Sequence, residues 1–286
     1  MKIPVLVASV VALLVLSLVA QDATSKPSVR RAYLGFDRND YPGDASLAIL
    51  RKTFAFTSYW LNNPPGATTN TWKGKRQLLD RAGFGFLVVF NGKTYAEMKS
   101  RDAAALGRED ARSAVQGSRN EGFPKGTVIF LDQEEGGRLP PEQKAYVYAW
   151  IDGVNETEFH AGVYCSGVPF KERDGTVVVT AEDIRSHANG RSVAYWVAVD
   201  SCPPSPGCSF AKSPLPSGSG VEFADVWQFA QSPRRPRYTS ACRQTYKAGG
   251  NCYAPGMQEQ HIHIDVDTAS SFDPSHGRVR RVRQEL

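Results

Sequence analysis

Eight short apolar runs, separated by longer amphipathic or turn-rich stretches, constrain the fold of this chain more than any other feature of its sequence. This alternation is typical of repeated βα units, in which helices connect parallel strands. Strands are predicted over residues 33–37, 54–60, 84–91, 127–134, 161–166, 193–200, 223–229 and 263–269. Helices are predicted over 44–52, 73–82, 103–120, 141–154 and 181–187. Because eight such units fill roughly 250 residues, we predict a single-domain (β/α)8 barrel of the TIM type.

The N-terminal residues indicate the compartment. Residues 5–20 are almost wholly apolar and follow the basic residue Lys2. The run falls short of the ~20 apolar residues that a spanning helix needs, so we predict a signal peptide cleaved near Ala20. The protein is then secreted or periplasmic and keeps no stable membrane anchor. The predicted segments are a signal peptide over 1–20, a linker over 21–31, the barrel over 32–272 and a basic tail over 273–286.

Four of the five cysteines form two close pairs in long loops. Cys202 and Cys208 follow the sixth strand, and Cys242 and Cys252 follow the seventh. Because an exported protein meets an oxidising environment, each pair is predicted to be a disulfide that staples its loop. Neither pair has the CxxC spacing of a zinc site, so zinc is not expected at these cysteines. The leading hypothesis below requires no cofactor. Cys165 lies inside an apolar strand pattern and is predicted to be a buried free thiol.

Polar or aromatic side chains end almost every predicted strand. In a barrel these strand ends meet at one face, and that face carries the active site. The predicted ligand-contacting residues are Trp60, Asn91, Tyr164, Trp196, Trp227 and Asp267. A tryptophan ring fits the C–H face of a sugar well, although a tryptophan at any one of these positions is more often part of the core.

The fourth predicted strand carries the sharpest pattern, two carboxylates spaced two residues apart. Side chains alternate along a strand, so Asp132 and Glu134 share a face with their Cβ atoms roughly 6.5 Å apart. Two acids this close at the mouth of an apolar barrel do not both ionise freely, and one proton is held to higher pH. Such a proton supplies the general acid that glycosidic cleavage requires. The alternative is that both acids only end the strand and bind water or arginine.

The last predicted strand has polar residues at every second position. His261, His263, Asp265 and Asp267 are expected to line the interior, and the apolar residues between them to face the helices. The HxH pattern followed by acids can bind a metal, so a metal-dependent hydrolase using His261, His263 and Asp265 is one alternative. No further histidine lies at a strand end to complete such a site.

Six short segments occur in the order seen in glycoside hydrolase family 25 lysozymes. They are Tyr33-Leu34-Gly35-Phe36-Asp37, Asp132-x-Glu134, Gly162-Val163-Tyr164, Tyr195-Trp196-Val197-Ala198, Trp227-Gln228 and Ile264-Asp265-Val266-Asp267. The chain resembles these lysozymes and, more closely, their relatives in the glycoside-hydrolase-like domain, also known as the domain of unknown function 1906. The resemblance covers about residues 32 to 270.

This resemblance implies a role for each of the acids. Glu134 looks like the general acid, and Asp132 resembles the residue that orients the substrate N-acetyl group or stabilises the cation. Asp37 and Asp265 resemble supporting acids from the first and last strands. The lysozymes usually close with a VDLN-like segment, whereas this chain has acids at both Asp265 and Asp267, so the choice between these two stays open.

The leading hypothesis is therefore an exported, monomeric glycosidase that acts on peptidoglycan or a related amino-sugar polymer. A second hypothesis is a carbohydrate-binding protein with a degenerate site. Nucleic acid is not an expected partner, because the chain has a formal charge of only +5 and lacks a basic groove laced with aromatic residues. Which glycan is bound and the stereochemical outcome remain open at this point.

Overall fold

The computed structural model describes residues 31–201, 213–231, 253–254, 256–257 and 259–279. Within them, eight strands form a closed barrel and two more form a small hairpin. The barrel strands are β1 (Tyr33–Asp37), β2 (Phe56–Trp60), β3 (Gly85–Asn91), β4 (Val128–Asp132), β5 (His160–Ser166), β8 (Ala194–Ala198), β9 (Val226–Ala230) and β10 (Asp265–Ala269), and the hairpin strands are β6 (Phe170–Lys171) and β7 (Val177–Val178). The predicted eight-stranded α/β barrel is confirmed.

Six α-helices surround the barrel in the described part of the chain. They are α1 (Leu47–Leu50), α2 (Arg76–Arg81), α3 (Tyr95–Met98), α4 (Ala103–Glu121), α5 (Pro141–Asn155) and α6 (Thr180–Ser186), with short 3₁₀ turns at Asp44–Ser46 and Pro216–Ser219. The longest, α4, begins where the Asp102 side chain accepts a hydrogen bond from the Ala105 N–H and ends at Gly122, which has φ of 76°. All five predicted helices are present, and only α3 was not predicted.

The last strand runs against the others, which differs from the all-parallel barrel that the sequence predicted. β10 pairs antiparallel with both β9 and β1. A parallel strand needs a crossover, usually a helix, whereas residues 231–260 show no helical pattern in the sequence. Because β10 is reversed, its first residue, Asp265, lies at the face where the parallel strands end. There it pairs with Asp37 of β1.

Aromatic rings fill the barrel interior by lying over glycines of neighbouring strands. A Cβ on Gly35 would lie 2.0 Å from the Phe56 ring, and one on Gly162 would lie 2.5 Å from the Phe130 ring. Phe130 in turn meets Trp196 edge-on, with ring centroids 6.0 Å apart. Because an aromatic residue on one strand lies over a glycine on the next, the side chains fill the interior and a barrel of this size can close.

The opposite end of the barrel is closed by the chain that follows β10. The Asp273 carboxylate accepts backbone hydrogen bonds from Phe86, Gly277 and Arg278. The Ser275 hydroxyl accepts another from Val88 at 2.8 Å. Residues 273–279, which the sequence assigned to a basic tail, therefore pack against the barrel.

Several predictions lie outside the described residues. These are the signal peptide over 1–20 and the two disulfides, Cys202–Cys208 and Cys242–Cys252. Cys165 is a buried free thiol, as predicted, and its burial raises its pKa to about 12. None of the described helices has the length and apolar character needed to cross a membrane.

Candidate active site

Five polar side chains meet at the face where the parallel strands end. Asp37, Asn91 and Asp132 are the last residues of β1, β3 and β4, and Asp265 is the first residue of the reversed β10. The strand register places Asn91 beside Asp132, and Asp132 beside Tyr164 of β5. Barrel closure therefore brings together acids that are more than two hundred residues apart along the chain, such as Asp37 and Asp265.

The two acids of the DxE pattern have different surroundings. β4 ends at Asp132, two residues earlier than predicted, so Glu134 lies in the following loop and is exposed. Asp132 is only 8% exposed. Burial raises the pKa of Asp132 well above its usual range, and the charges of Glu134, Asp37 and Glu135 raise it further. The proton that the pattern predicted for one acid of the pair is therefore favoured on Asp132.

Hydrogen bonds to Glu135 fix the loop after β4. The Glu135 carboxylate accepts hydrogen bonds from the Gln133 side chain at 2.7 Å and from the Tyr95 backbone N–H at 2.8 Å. Among the described residues, Glu134 has neither a hydrogen bond nor an ion pair. Glu135 thus ties the loop to α3, while Glu134 remains available to a ligand.

An open groove of about 810 Å³ lies above Asp132 and Glu134. This volume is within the range of small-molecule and sugar sites. The groove is lined by Asn62, Asn63, Pro65, Gly66, Asn91, Gly92, Lys93, Thr94, Glu97, Asp132, Glu134 and Glu135. Its far rim is held by paired amides, because the Asn62 side chain accepts from the Asn91 N–H at 2.8 Å and donates to the Asn91 carbonyl at 2.9 Å.

A hydrogen-bond network inside the barrel supports these acids from below. The Gln228 Nε2 group donates to Asp37 Oδ2 at 2.8 Å, and Gln228 Oε1 accepts from the Tyr164 hydroxyl at 2.9 Å. Burial raises the pKa of Tyr164 well above its usual range, and four carboxylates raise it further. They are those of Asp37, Asp132, Asp265 and Glu134. All four predicted catalytic acids therefore lie near one neutral hydroxyl.

Gln228 is a site residue that the sequence analysis missed in favour of its neighbour Trp227. Strand alternation places Gln228 and Trp227 on opposite sides of β9, but it does not by itself indicate which side faces the interior. Trp227 points outward, donating its ring N–H to the Val199 carbonyl at 2.9 Å and packing on Phe229. Its ring therefore packs on the outer side of the barrel.

The three tryptophans expected to contact a sugar all pack in the core. Trp60, Trp196 and Trp227 are 5%, 2% and 6% exposed. Trp60 donates to the Arg38 carbonyl at 3.0 Å, and Trp196 donates to Asp267 at 2.9 Å. The rings of Trp60 and Trp196 fill the interior of a small barrel, which explains their burial, whereas the Trp227 ring is buried on the outer side of β9. Of the other predicted ligand contacts, Asn91 lines the groove, Tyr164 is half-buried and Asp267 is fully buried.

Two histidines before β10 pack against the ring of one tyrosine. His261 stacks on the Tyr253 ring at 5.1 Å, and His263 lies 4.7 Å from the same ring. Over the described ranges, no three side chains of His, Cys, Asp and Glu are grouped as a metal ion requires. The predicted metal-site alternative at His261, His263 and Asp265 therefore finds no support.

The family model of the Rv2525c-like, glycoside hydrolase-like domain matches residues 59–204, just over half of the 286 residues. The chain belongs to this family. The matched range holds Asn91, Asp132, Glu134 and Tyr164, whereas Asp37, Gln228 and Asp265 lie outside it. No curated protein matched the sequence.

A comparison with solved structures found several that are similar to this glycoside hydrolase-like domain. An uncharacterized protein of B. stearothermophilus is 17% identical, with 83% of this chain and 95% of that chain covered and a TM-score of 0.52. The Tat-secreted protein Rv2525c of Mycobacterium tuberculosis, in complex with L-tartrate, is 12% identical over 82% of this chain and 93% of that chain, with a TM-score of 0.48. The catalytic domain of the endolysin ply40, from bacteriophage P40 of Listeria monocytogenes, is 16% identical over 86% and 98%, also with a TM-score of 0.48. At 17% identity, the similarity to the B. stearothermophilus protein shows the fold alone.

Proposed function

We propose that this protein is a glycoside hydrolase that cleaves peptidoglycan or a related amino-sugar polymer. The observation that carries the proposal is the contrast within the acid pair. Asp132 is buried with a raised pKa, and Glu134 stands in front of it in an open groove. Membership of a glycoside hydrolase-like family supports the reaction class, although a fold by itself does not establish an activity.

In the proposed reaction, Glu134 is the general acid. Its carboxyl group faces the groove and can reach a bound glycosidic oxygen, to which it gives its proton as the bond from that oxygen to the anomeric carbon breaks. The carbonyl oxygen of the substrate 2-acetamido group forms a new bond to the same carbon, so the enzyme needs no carboxylate nucleophile. Water then opens this ring and returns a proton to Glu134.

Asp132 acts on the acetamido group in this proposal. Asp132 holds the proton of the pair in the free protein and passes it to Glu134 when the glycan binds, so that Asp132 becomes a carboxylate. As a carboxylate it accepts a hydrogen bond from the acetamido N–H group and stabilises the positive charge that develops on the sugar. Asp37 and Asp265 contribute negative charge from below. A buried setting makes each of these interactions stronger than it would be in water.

The proposed enzyme works outside the cytoplasm, as a monomer without a cofactor. This part of the proposal depends on the apolar run over residues 5–20, interpreted as a signal peptide. A cell-wall glycan would be accessible to a protein exported in this way.

Two exposed aromatic rings are the candidates for stacking on sugar, since the tryptophans are buried. Tyr95 is 37% exposed at the start of α3, and Phe170 is 50% exposed on the hairpin after β5. Phe170 lies against Gly137, where a Cβ would be 3.0 Å from the ring edge. The two rings therefore flank the loop that carries Glu134 and could bind sugars beyond the cleaved bond.

Phe170→Ala is expected to raise KM for a long glycan about 2- to 10-fold with little change in kcat, because an exposed ring stacked on a sugar contributes binding alone. The matched control is Val177→Ala, because Val177 is 62% exposed on the same hairpin and pairs with Lys171 rather than with Phe170. Steady-state kinetics on soluble glycan fragments measures both. An unchanged KM for Phe170→Ala, or an equal rise for Val177→Ala, would contradict the assignment.

The proposed activity is tested by incubating the purified protein with purified peptidoglycan and with soluble amino-sugar oligosaccharides. Release of new reducing ends is the expected result, and mass spectrometry of the products identifies the cleaved bond. Binding of the same oligosaccharides without reducing-end release would instead favour a carbohydrate-binding protein with a degenerate site.

A further inference from the structure

One further buried acid, Asp267, lies beneath the site and has no part in the proposed reaction. Asp267 is fully buried in β10, where the strand register places it between Gly35 of β1 and Gln228 of β9. Its Oδ1 atom accepts a hydrogen bond from the Trp196 ring N–H at 2.9 Å. Its Oδ2 atom has no hydrogen-bond donor among the described residues. A buried carboxylate oxygen without a donor is costly if the group is charged.

The group next to this acid is another carboxyl. The side chains of Asp267 and Asp37 are within hydrogen-bonding reach of each other. Asp37 already accepts a hydrogen bond from Gln228 at 2.8 Å, which favours its ionised form. Two carboxylates in contact repel each other, whereas one proton between them makes a strong charge-assisted hydrogen bond. The deeper group, which lacks a donor for Oδ2, is the one expected to keep that proton.

We propose that Asp267 is a neutral carboxylic acid that donates its proton to Asp37, and that it is a positioning residue which holds Asp37 oriented and ionised under the candidate site. The proton forms a link between β10 and β1, the two strands that close the barrel. The consequence for catalysis rests on the proposed function, but the position of the proton does not.

The groups around Asp267 all favour the neutral form of its carboxyl group. The neighbour from β8 is Trp196 and that from β9 is Gln228, and neither carries a charge. The other ionisable groups nearby are acids, namely Asp37 and Asp265. Burial raises the pKa of Asp267 well above its usual range, and the negative charge of Asp37 raises it further.

The proposal predicts how Asp267→Asn changes stability with pH. The asparagine keeps the acceptor for Trp196 and supplies an N–H to Asp37, so it copies the neutral acid. In the unfolded chain Asp267 ionises near pH ~4, whereas the folded protein keeps its proton. The wild type therefore has the full stabilising contribution of this group below that pH and loses it as pH rises towards the raised pKa. The gap in Tm in favour of Asp267→Asn should widen by about 3 °C per pH unit over this window.

Thermal unfolding of wild type, Asp267→Asn and the control Asp40→Asn, measured from about pH 4 to about pH 8, tests this. Asp40 is exposed, so its variant should show no such widening. A gap for Asp267→Asn that is constant, or that turns against the variant as pH rises, would overturn the proposal. If Asp267→Asn does not fold, infrared difference spectra of aspartate-labelled wild type and Asp132→Asn decide. A carboxylic acid C=O band that remains at neutral pH in Asp132→Asn supports the proposal, and carboxylate bands alone in that variant refute it. Neither measurement needs glycan cleavage, so the inference can fail or hold independently of the proposed function.

Discussion

Replacing Glu134 with glutamine is expected to lower kcat for glycan cleavage by about 10²–10⁴-fold, the usual contribution of a general acid. Glutamine has the shape of glutamate but cannot deliver a proton to the leaving oxygen. The fold should be unaffected, because Glu134 is exposed and makes no hydrogen bond or ion pair with the described residues. Binding of glycan should persist, since the groove keeps its shape.

The matched control for this variant is Glu97→Gln. Glu97 is another exposed glutamate that lines the groove, and its carboxylate accepts from the Thr94 N–H and hydroxyl at 2.8 Å in a capping box at the start of α3. Glutamine serves equally in a capping box, so little change in kcat is expected. Wild-type turnover by Glu134→Gln, measured as reducing ends released per enzyme, would show that the acid lies elsewhere.

Replacing Gly35 with alanine is expected to destabilise the protein by about 1–3 kcal/mol or more, as overpacking of a filled core does. The new methyl group would lie 2.0 Å from the Phe56 ring, which is fully buried inside the barrel and has no room to move. Urea or guanidinium unfolding measures the effect. Because Gly35 is two residues from Asp37 on the same face, activity should fall as well.

The clash itself can be tested with a second substitution and a control. Phe56→Leu shortens the ring that would clash, so the double variant should recover part of the lost stability. Gly117→Ala is the control. Gly117 lies within α4, and its added methyl would meet Leu61 at an ordinary 3.5 Å. That variant should be as stable as the wild type or more so, because alanine favours helix. Equal stability of Gly35→Ala and wild type would mean that the interior is not packed as described.

Most of the barrel strands could be predicted from the sequence, because apolar runs bounded by turn residues mark buried parallel strands. The direction of β10 was not predicted, since alternation along a strand is the same for either direction. The missing helix before β10 was the available signal. The hairpin of β6 and β7 has two-residue strands, which are too short to show any period, and with it Phe170 was missed.

Within the candidate site, the acids were easier to predict than their environments. Asp37 and Asp132 could be recognised near strand ends, and barrel closure brings such ends together. Asp265 was predicted within the last strand, and it lies at the shared face because β10 is reversed. The sequence could not show that β4 stops at Asp132, which buries one acid of the pair and exposes the other. Nor could it show which side of β9 faces inward, although the interior position of Gln228 follows once the neighbouring strands are aligned.

In the proposed complex, acids from separate strands surround a bound amino-sugar chain in the groove above Asp132. The most direct measurement is a crystal structure of Glu134→Gln soaked with an N-acetylated amino-sugar oligosaccharide. We expect a glycosidic oxygen within hydrogen-bonding reach of residue 134, with the acetamido group of the adjoining sugar directed at Asp132. An oligosaccharide bound away from these two residues, or a groove that stays empty at saturating sugar, would contradict it.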